Sequence, residues 1–276
     1  MTPFFEWREA PPADFAVIGD PVGHSLSPRM HAAALRALGL DRTYLAIRVP
    51  PGEVAACLAR LAELGYAGVN CTVPHKAEAL AACALADGFA RRVGAVNTVR
   101  LPGREGTNTD GPGFLDTLRP LGIPDGSLAL VLGAGGSARA VAAALQEAGF
   151  RLRLWNRTPE RAEALAREVG LDAELSADPD PAGCALIVNT TSAGLQGASV
   201  GVDWGRAPAD AVAYDLMYGD GPTPFLRDAS SFGLRTVDGR PLLAAQGARS
   251  LEWWLGCRAP RREMLLSIGC TGEELG

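Results

Sequence analysis

Leu128-Ala-Leu-Val-Leu-Gly-Ala-Gly-Gly-Ser-Ala-Arg-Ala140 decides the fold. Leu128–Leu132 is apolar without polar alternation, as in a strand buried on both faces. It runs into Gly133-Ala134-Gly135-Gly136-Ser137-Ala138, a G-x-G-x-x-G/A match, and Arg139–Ala148 continues with a helical pattern. Strand, glycine turn and helix together are the context in which these glycines hold a dinucleotide. The first glycine makes the tight turn, and the second lets backbone approach a pyrophosphate. The small third residue packs helix on strand, and the pyrophosphate sits on the helix N-terminus. Without a ligand, the same residues would make only a tight strand–helix turn.

Downstream, Arg151–Trp155 reads as the next strand. An NAD site usually has Asp or Glu about 20 residues past the glycines to hold the ribose hydroxyls. This chain has Asn156-Arg157-Thr158 there, with Arg161 one turn on. A carboxylate would repel a 2′-phosphate, whereas arginine binds one bidentately. The spacing therefore points to NADP(H) over NAD(H); the bland alternative is a solvated, basic helix start. Arg161–Val169 reads as helix, Ala185–Val188 and Val212–Asp215 as strands, and Leu242–Leu255 and Arg261–Ile268 as helices.

Upstream, Phe15–Ile18, Tyr44–Val49, Gly68–Val73 and Val96–Leu101 read as strands. A helix should start with Ser27 as N-cap and Pro28 at its first position. Another should cover Pro51–Leu64, closed by Gly65, and Pro74 should open a third that carries Lys76. Strands alternating with helices predict an α/β protein with mainly parallel strands. At about 150 residues per domain, 276 residues predict two.

Composition narrows the function. Hydrophobic residues at 47% and charged residues at 21% fit a globular chain. A net charge of −5 leaves no overall basic excess for nucleic acid or anionic lipid. The N-terminal stretch lacks the pattern of a secretory signal, and the longest uncharged run, Pro181–Val202, is too polar to span a membrane. Six scattered cysteines without C-x-x-C or zinc-ligand spacing read as reduced thiols, so a cytoplasmic protein without metal is expected.

One count singles out a residue. Lys and Arg total 26, and Lys76 is the sole lysine. Arginine does not release its proton in a protein, whereas a lysine can, so Lys76 is a candidate proton donor and acceptor; chance survival on the surface is the equal alternative. Lys76 falls in the first turn of its helix, where the helix dipole disfavours a cation and so suits proton transfer. Polar residues gather at the strand ends around it. Ser25 and Ser27 could donate to a carboxylate. Thr72 ends a strand, and Asn97 adds an amide. Asp110 precedes a helix, where it either caps the helix or orients Lys76.

The runs VIGDPVGHSLSPRMH, NCTVPHK, GAVNT, NTDG, GAGGSARA, NRT, NTTSAG, YDLMYGDGPTPFL and LLAAQGARSLEWWLG, in this order, resemble the shikimate dehydrogenases from about Phe15 to Gly256. The resemblance implies reversible NADPH-dependent reduction of 3-dehydroshikimate to shikimate, in aromatic amino-acid biosynthesis. It implies an N-terminal α/β substrate domain (1–109 with 241–276) and a Rossmann-type NADP-binding domain (110–240), the C-terminal helices returning to the first. It makes Lys76 and Asp110 the catalytic pair. Ser25 and Ser27 would bind the substrate carboxylate, Thr72, Asn97 and Gln246 would hydrogen-bond the substrate, and Tyr218 would line the cleft. The cofactor set is Gly133, Ala134, Gly135, Gly136, Ser137, Asn156, Arg157, Thr158, Arg161 and Thr190. The expected partner is the small-molecule substrate, with no nucleic acid or membrane, in a monomer or homodimer. Ala32, Gly219-Asp220 and Pro241–Ala244 depart from the usual family pattern. Competing readings are a quinate dehydrogenase using NAD, a ligand-binding protein without turnover, and another two-domain NADP enzyme.

Overall fold

A computed structural model describes residues 3–191 and 199–270. The chain forms two compact units, residues 1–113 with 243–276 and residues 114–242.

The first unit holds a seven-stranded sheet. Its strands are β1 (Phe4–Glu6), β2 (Phe15–Gly19), β3 (Tyr44–Arg48), β4 (Gly68–Cys71), β5 (Leu85–Ala86), β6 (Thr98–Arg100) and β7 (Glu105–Thr107), in the order β1-β3-β2-β4-β6-β7-β5. β1, β3, β2 and β4 run parallel, whereas β6 lies antiparallel to both β4 and β7. The helices α1 (Ser27–Ala37), α2 (Val54–Glu63), α3 (Lys76–Ala82) and α4 (Gly88–Val93) connect these strands. β2 is buried along its whole length because its alternating side chains feed two cores. Ala16 and Ile18 pack with Leu58, Leu61 and Val69 on one face, while Phe15 and Val17 pack with Met30, Leu35 and Tyr44 on the other.

The second unit begins within α5 (Asp110–Leu118) and contains β8 (Leu128–Leu132), α6 (Gly136–Glu147), β9 (Arg151–Trp155), α7 (Pro159–Val169), β10 (Ala173–Leu175), β11 (Cys184–Asn189), β12 (Val212–Asp215), α8 (Pro224–Ser231) and β13 (Arg235–Val237). All its strands are parallel, in the order β10-β9-β8-β11-β12-β13. Counted within the unit this is 3-2-1-4-5-6, the Rossmann order. The chain returns to the first unit within α9 (Arg240–Leu255), and α10 (Arg261–Ser267) follows. There Ala244, Ala248, Leu251 and Met264 complete the core that holds Phe15 and Met30.

Several expected boundaries move. Ser27 is the first residue of α1 and not its N-cap; Leu26 holds that position, and the Ser27 N–H donates to Ser25 Oγ at 3.2 Å. Pro51–Glu53 stays outside α2 because Gly52 turns with φ +87° and its N–H donates to the Glu78 carboxylate. The strand expected over Val96–Leu101 is three residues long, since Val96 N–H donates to Lys76 O and Asn97 N–H to Thr107 O. Among the described residues no helix is long and apolar enough to cross a membrane. Nor does any group of three or more His, Cys, Asp or Glu there suit a metal ion.

Candidate active site

In a parallel sheet, ligands bind beyond the carboxyl ends of the strands where the strand order reverses. In the first sheet that point lies between β2 and β4, because β3 follows on one side of β2 and β4 on the other. Thr72 N–H donates to Ile18 O at 2.9 Å, and Asp20 N–H to Val73 O at 3.1 Å, tying the two strand exits together. A methyl group on Gly19 would sit 2.6 Å from Thr72 Cγ2, so only glycine permits this approach. The β2 exit leads to Ser25 and Ser27, both buried, and the β4 exit to Thr72 and Lys76.

Lys76 is the first residue of α3. Its backbone is pinned by the Val96 bond to its carbonyl, and the neighbouring His75 Nε2 lies 2.7 Å from Val49 O. An acceptor-only carbonyl fixes the proton on Nε2. Lys76 Nζ donates to Asp110 Oδ2 at 2.7 Å, and the two side chains are only 13% and 10% exposed. Asp110 does not cap its own helix; Asn108 Oδ1 takes the N–H of Asp110 at 3.0 Å and of Gly111 at 3.4 Å. That leaves the carboxylate free for Lys76 and, through Oδ1, for Asn97 Nδ2 at 2.8 Å. Asn97 is itself held: its Oδ1 accepts from Thr109 N at 2.8 Å and from Thr98 Oγ1 at 3.0 Å. Gln246 Oε1, from α9, reaches Asn97 Nδ2 at 3.3 Å. The result is an ammonium group in a nearly dry site, with a fixed counter-ion and a ring of amides and hydroxyls beside it. Such a group can give a proton to an oxygen that gains charge and stabilise that charge meanwhile.

In the second unit the order reverses between β8 and β11. Gly133 follows β8 with φ +113°, and a Cβ there would meet Thr190 Oγ1 at 2.5 Å. Thr190, past β11, is fixed by donating from N and Oγ1 to Leu132 O at 2.9 and 2.7 Å. α6 starts at Gly136, three residues before the expected Arg139, with Gly135 as an N-cap that has no side-chain hydrogen bond. No acidic residue lies in its first turn, and a Cβ on exposed Gly135 would meet nothing within 4 Å. The opening past Gly135 and the uncapped helix start fit a pyrophosphate. At the β9 end, Asn156 Nδ2 donates to Thr158 O at 2.8 Å, closing the turn that presents Arg157. Arg157 and Arg161 are exposed, and neither guanidinium pairs with a carboxylate among the described residues. Two uncommitted cations fit a phosphate monoester better than a ribose diol. Ala134 and Ser137 complete the turn. Tyr218 follows β12 in the second unit, and the last three residues of the NTTSAG run, 192–194, lie outside the described residues.

Comparison with known proteins agrees with both halves. The shikimate dehydrogenase substrate binding domain matches residues 17–99. The shikimate dehydrogenase (NADP(+)) of Acidiphilium cryptum is 46% identical over 249 residues, covering 87% of this chain and 89% of that protein. The chain belongs to the shikimate dehydrogenase family. A Thermus thermophilus shikimate 5-dehydrogenase, solved in complex with NADP(H) and shikimate, superposes with a TM-score of 0.85 at 43% identity. It covers 92% of this chain and 98% of its own. The ligand-free 5-ketofructose reductase of a Gluconobacter strain superposes at 0.82 with 30% identity, covering 93% and 97%. Among shikimate dehydrogenases and their structural kin the two-unit fold thus also serves another carbonyl substrate, and the site residues have to decide between substrates.

Some of the residues that build this shikimate dehydrogenase site escaped the sequence reading. Asn70 sits inside NCTVPHK, yet its position on β4 gave it the look of a strand residue; its amide bonds Ser250 Oγ, Thr98 Oγ1 and Asn97 O at 2.9, 3.1 and 3.2 Å. Asn108, Thr109 and Ser250 likewise act through other side chains. A polar residue at 0–6% exposure inside an apolar pattern is the signal that would have found them.

Proposed function

We propose that the protein catalyses the reversible NADPH-dependent reduction of 3-dehydroshikimate to shikimate. The observation that carries this is the buried Lys76–Asp110 pair at 2.7 Å with Asn97 on the other carboxylate oxygen. Membership of the family supplies the reaction class, and Lys76 beside Asp110 offers the proton donor that this chemistry needs.

In this reading Ser25 and Ser27 take the substrate carboxylate, and Thr72, Asn97 and Gln246 take ring hydroxyls. Holding the ring in one pose supplies much of the rate. The β8–α6 turn and Arg157 would hold NADPH, which when bound would supply the hydride for the ketone carbon. Lys76, as ammonium, stabilises the negative charge on the ketone oxygen and gives it a proton from Nζ. Asp110 keeps Nζ in place and accepts from a substrate hydroxyl. In the reverse direction Lys76 Nζ takes the hydroxyl proton. The enzyme works in the cytoplasm, as a monomer or homodimer.

The test is the rise in absorbance from NADPH when the protein is given NADP+ and shikimate, run beside quinate and beside NAD+. Turnover of shikimate with NADP+ at least tenfold above the other three combinations is expected. A preference for quinate, or no turnover of either acid, overturns the assignment.

A further inference from the structure

We infer that Asp215 is a positioning residue for the cofactor: its carboxyl group joins the segments that leave β11 and β12 to the start of α8, and so holds the loop that packs against the glycine turn. The inference rests on the NADPH half of the proposed function and goes beyond it, since Asp215 belongs to no predicted site.

Asp215 is the last residue of β12 and is fully buried. A polar group at that depth needs hydrogen-bond partners, and those of Asp215 are all donors. Oδ1 accepts from Asn189 Nδ2 at 3.1 Å and from Met217 N at 3.0 Å, while Oδ2 accepts from Thr223 Oγ1 at 2.6 Å. Thr223 in turn caps α8, its Oγ1 accepting from Leu226 N at 3.3 Å. The direction of the Asn189 bond is fixed from the far side. Thr191 N–H donates to Asn189 Oδ1 at 3.0 Å, and a backbone N–H never accepts, so Nδ2 has to face Asp215. One side chain thereby joins three separate segments.

The junction reaches the glycine turn through Asn189. That residue ends β11 and stands opposite Asp215 in the sheet. Its Oδ1 takes both the N–H and the hydroxyl of Thr191, at 3.0 and 2.7 Å. Thr191 lies directly against the turn: a Cβ on Gly133 would be 3.1 Å from Thr191 Cγ2, besides the 2.5 Å from Thr190 Oγ1. On the other side, Leu216 N–H donates to Asn189 O at 2.9 Å, and Gly239 N–H to Met217 O at 3.1 Å. The segments beyond β11, β12 and β13 are thus tied in one line. They lie at the carboxyl ends of parallel strands, beside the reversal between β8 and β11 where a dinucleotide binds. Without the Asp215 oxygens, Asn189 Nδ2 and Met217 N lose their acceptor. The Asn189 amide is then free to turn, Thr191 loses its fixed partner, and the cofactor has to order these loops on binding.

Binding of NADPH to the unaltered protein, followed by its fluorescence, tests cofactor use first; no binding overturns the proposed function and this inference with it. Asp215→Leu then keeps the volume and removes both acceptors, and its Kd for NADPH is expected to rise at least about tenfold. Asp215→Asn still turns an oxygen towards Asn189 and Met217, and its Kd should stay within about threefold of the parent. Leu145→Ala is the control for lost stability, since Leu145 is buried at the far end of α6. It should melt lower yet hold NADPH within about twofold. NADPH binding to Asp215→Leu as tight as to the parent, an Asp215→Asn as weak as Asp215→Leu, or an equal loss in Leu145→Ala each overturn the inference. A second measurement needs no variant to fold. In the unaltered protein, saturating NADP+ should slow amide exchange of Met217 N–H, the group Asp215 holds, at least about tenfold. If NADP+ protects the glycine turn and leaves Met217 exchanging as before, Asp215 does not position the cofactor loops.

Discussion

At the scale of single residues, the two units each depend on one cation of a particular kind. Lys76 has to be a lysine, because the reaction needs an N–H that can leave. Lys76→Ala removes the proton donor but none of the groups expected to bind substrate. We expect kcat to fall by about 10²–10⁴, with KM for shikimate changed by less than about fivefold. Steady-state kinetics checks this, and an unchanged kcat would remove Lys76 from the chemistry. The variant should also melt lower, since Asp110 loses the partner that compensates its burial. Arg157 plays the opposite part and must never lose its charge. Arg157→Asp replaces a phosphate-binding fork by a carboxylate suited to a ribose diol. A charge-assisted bond is worth about 1.5–3 kcal/mol, so the ratio of kcat/KM for NADP+ over NAD+ should drop about 10–100-fold. If the ratio stays put, Arg157 does not read the 2′-phosphate.

At the scale of elements, backbone approaches govern the site. A Cβ on Gly113, in α5, would lie 2.8 Å from Gln246 N and 2.9 Å from Gln246 Cα in α9. Backbone cannot swing aside as a side-chain end can. Gly113→Ala should push α9 away from the turn of α5 that begins with Asp110, and move Gln246 from Asn97. We expect a loss of about 1–3 kcal/mol in stability and a rise in shikimate KM that exceeds any change in KM for NADP+. Urea denaturation with paired kinetics would show it; wild-type values for both would mean the helices can slide. The same scale explains what could be read in the sequence. β8, the glycine turn and β9 were legible because an apolar run, a glycine spacing and an arginine at a strand end are local patterns. Lys76 stood out through its uniqueness, and Asp110 through its place before a helix. Ser27 as a cap, and Asn70, Asn108, Thr109 and Ser250 as members of the site, were not legible. Their roles follow from which strand exits and which end of α9 come together, over sequence separations of up to 180 residues. No local pattern carries that information. β1, β5 and β7, two or three residues each, are too short to show a period of two at all.

At the scale of the whole molecule, stability has to meet the demands of a buried polar network, and His31 exposes the cost. It is fully buried, has no hydrogen-bond partner, and is held near pKa 3 by desolvation, against 6.5 in the unfolded chain. Above pH 6.5 both states are neutral and the group contributes nothing to the pH dependence. Below that value the unfolded chain binds a proton that the folded one refuses. Stability should therefore fall as pH drops from 6.5 towards 3, by up to about 1.4 kcal/mol per pH unit from this group. Asp215 works the other way. Burial raises it above 3.8, so the folded chain keeps a proton that the unfolded chain gives up, and acid favours folding as pH falls through the raised value towards 3.8. The two contributions can be told apart by substitution. His31→Phe keeps a flat ring against Tyr44, satisfies the apolar pocket and cannot titrate. Urea unfolding at pH 7.5 and at pH 5 should show the wild type losing more stability than His31→Phe, the difference growing to about 1–2 kcal/mol. At pH 7.5 the variant should be at least as stable as the parent, because an unpartnered imidazole in an apolar pocket costs more than a benzene ring does. If the two proteins lose stability in parallel between these pH values, His31 is protonated or hydrogen-bonded in the folded state.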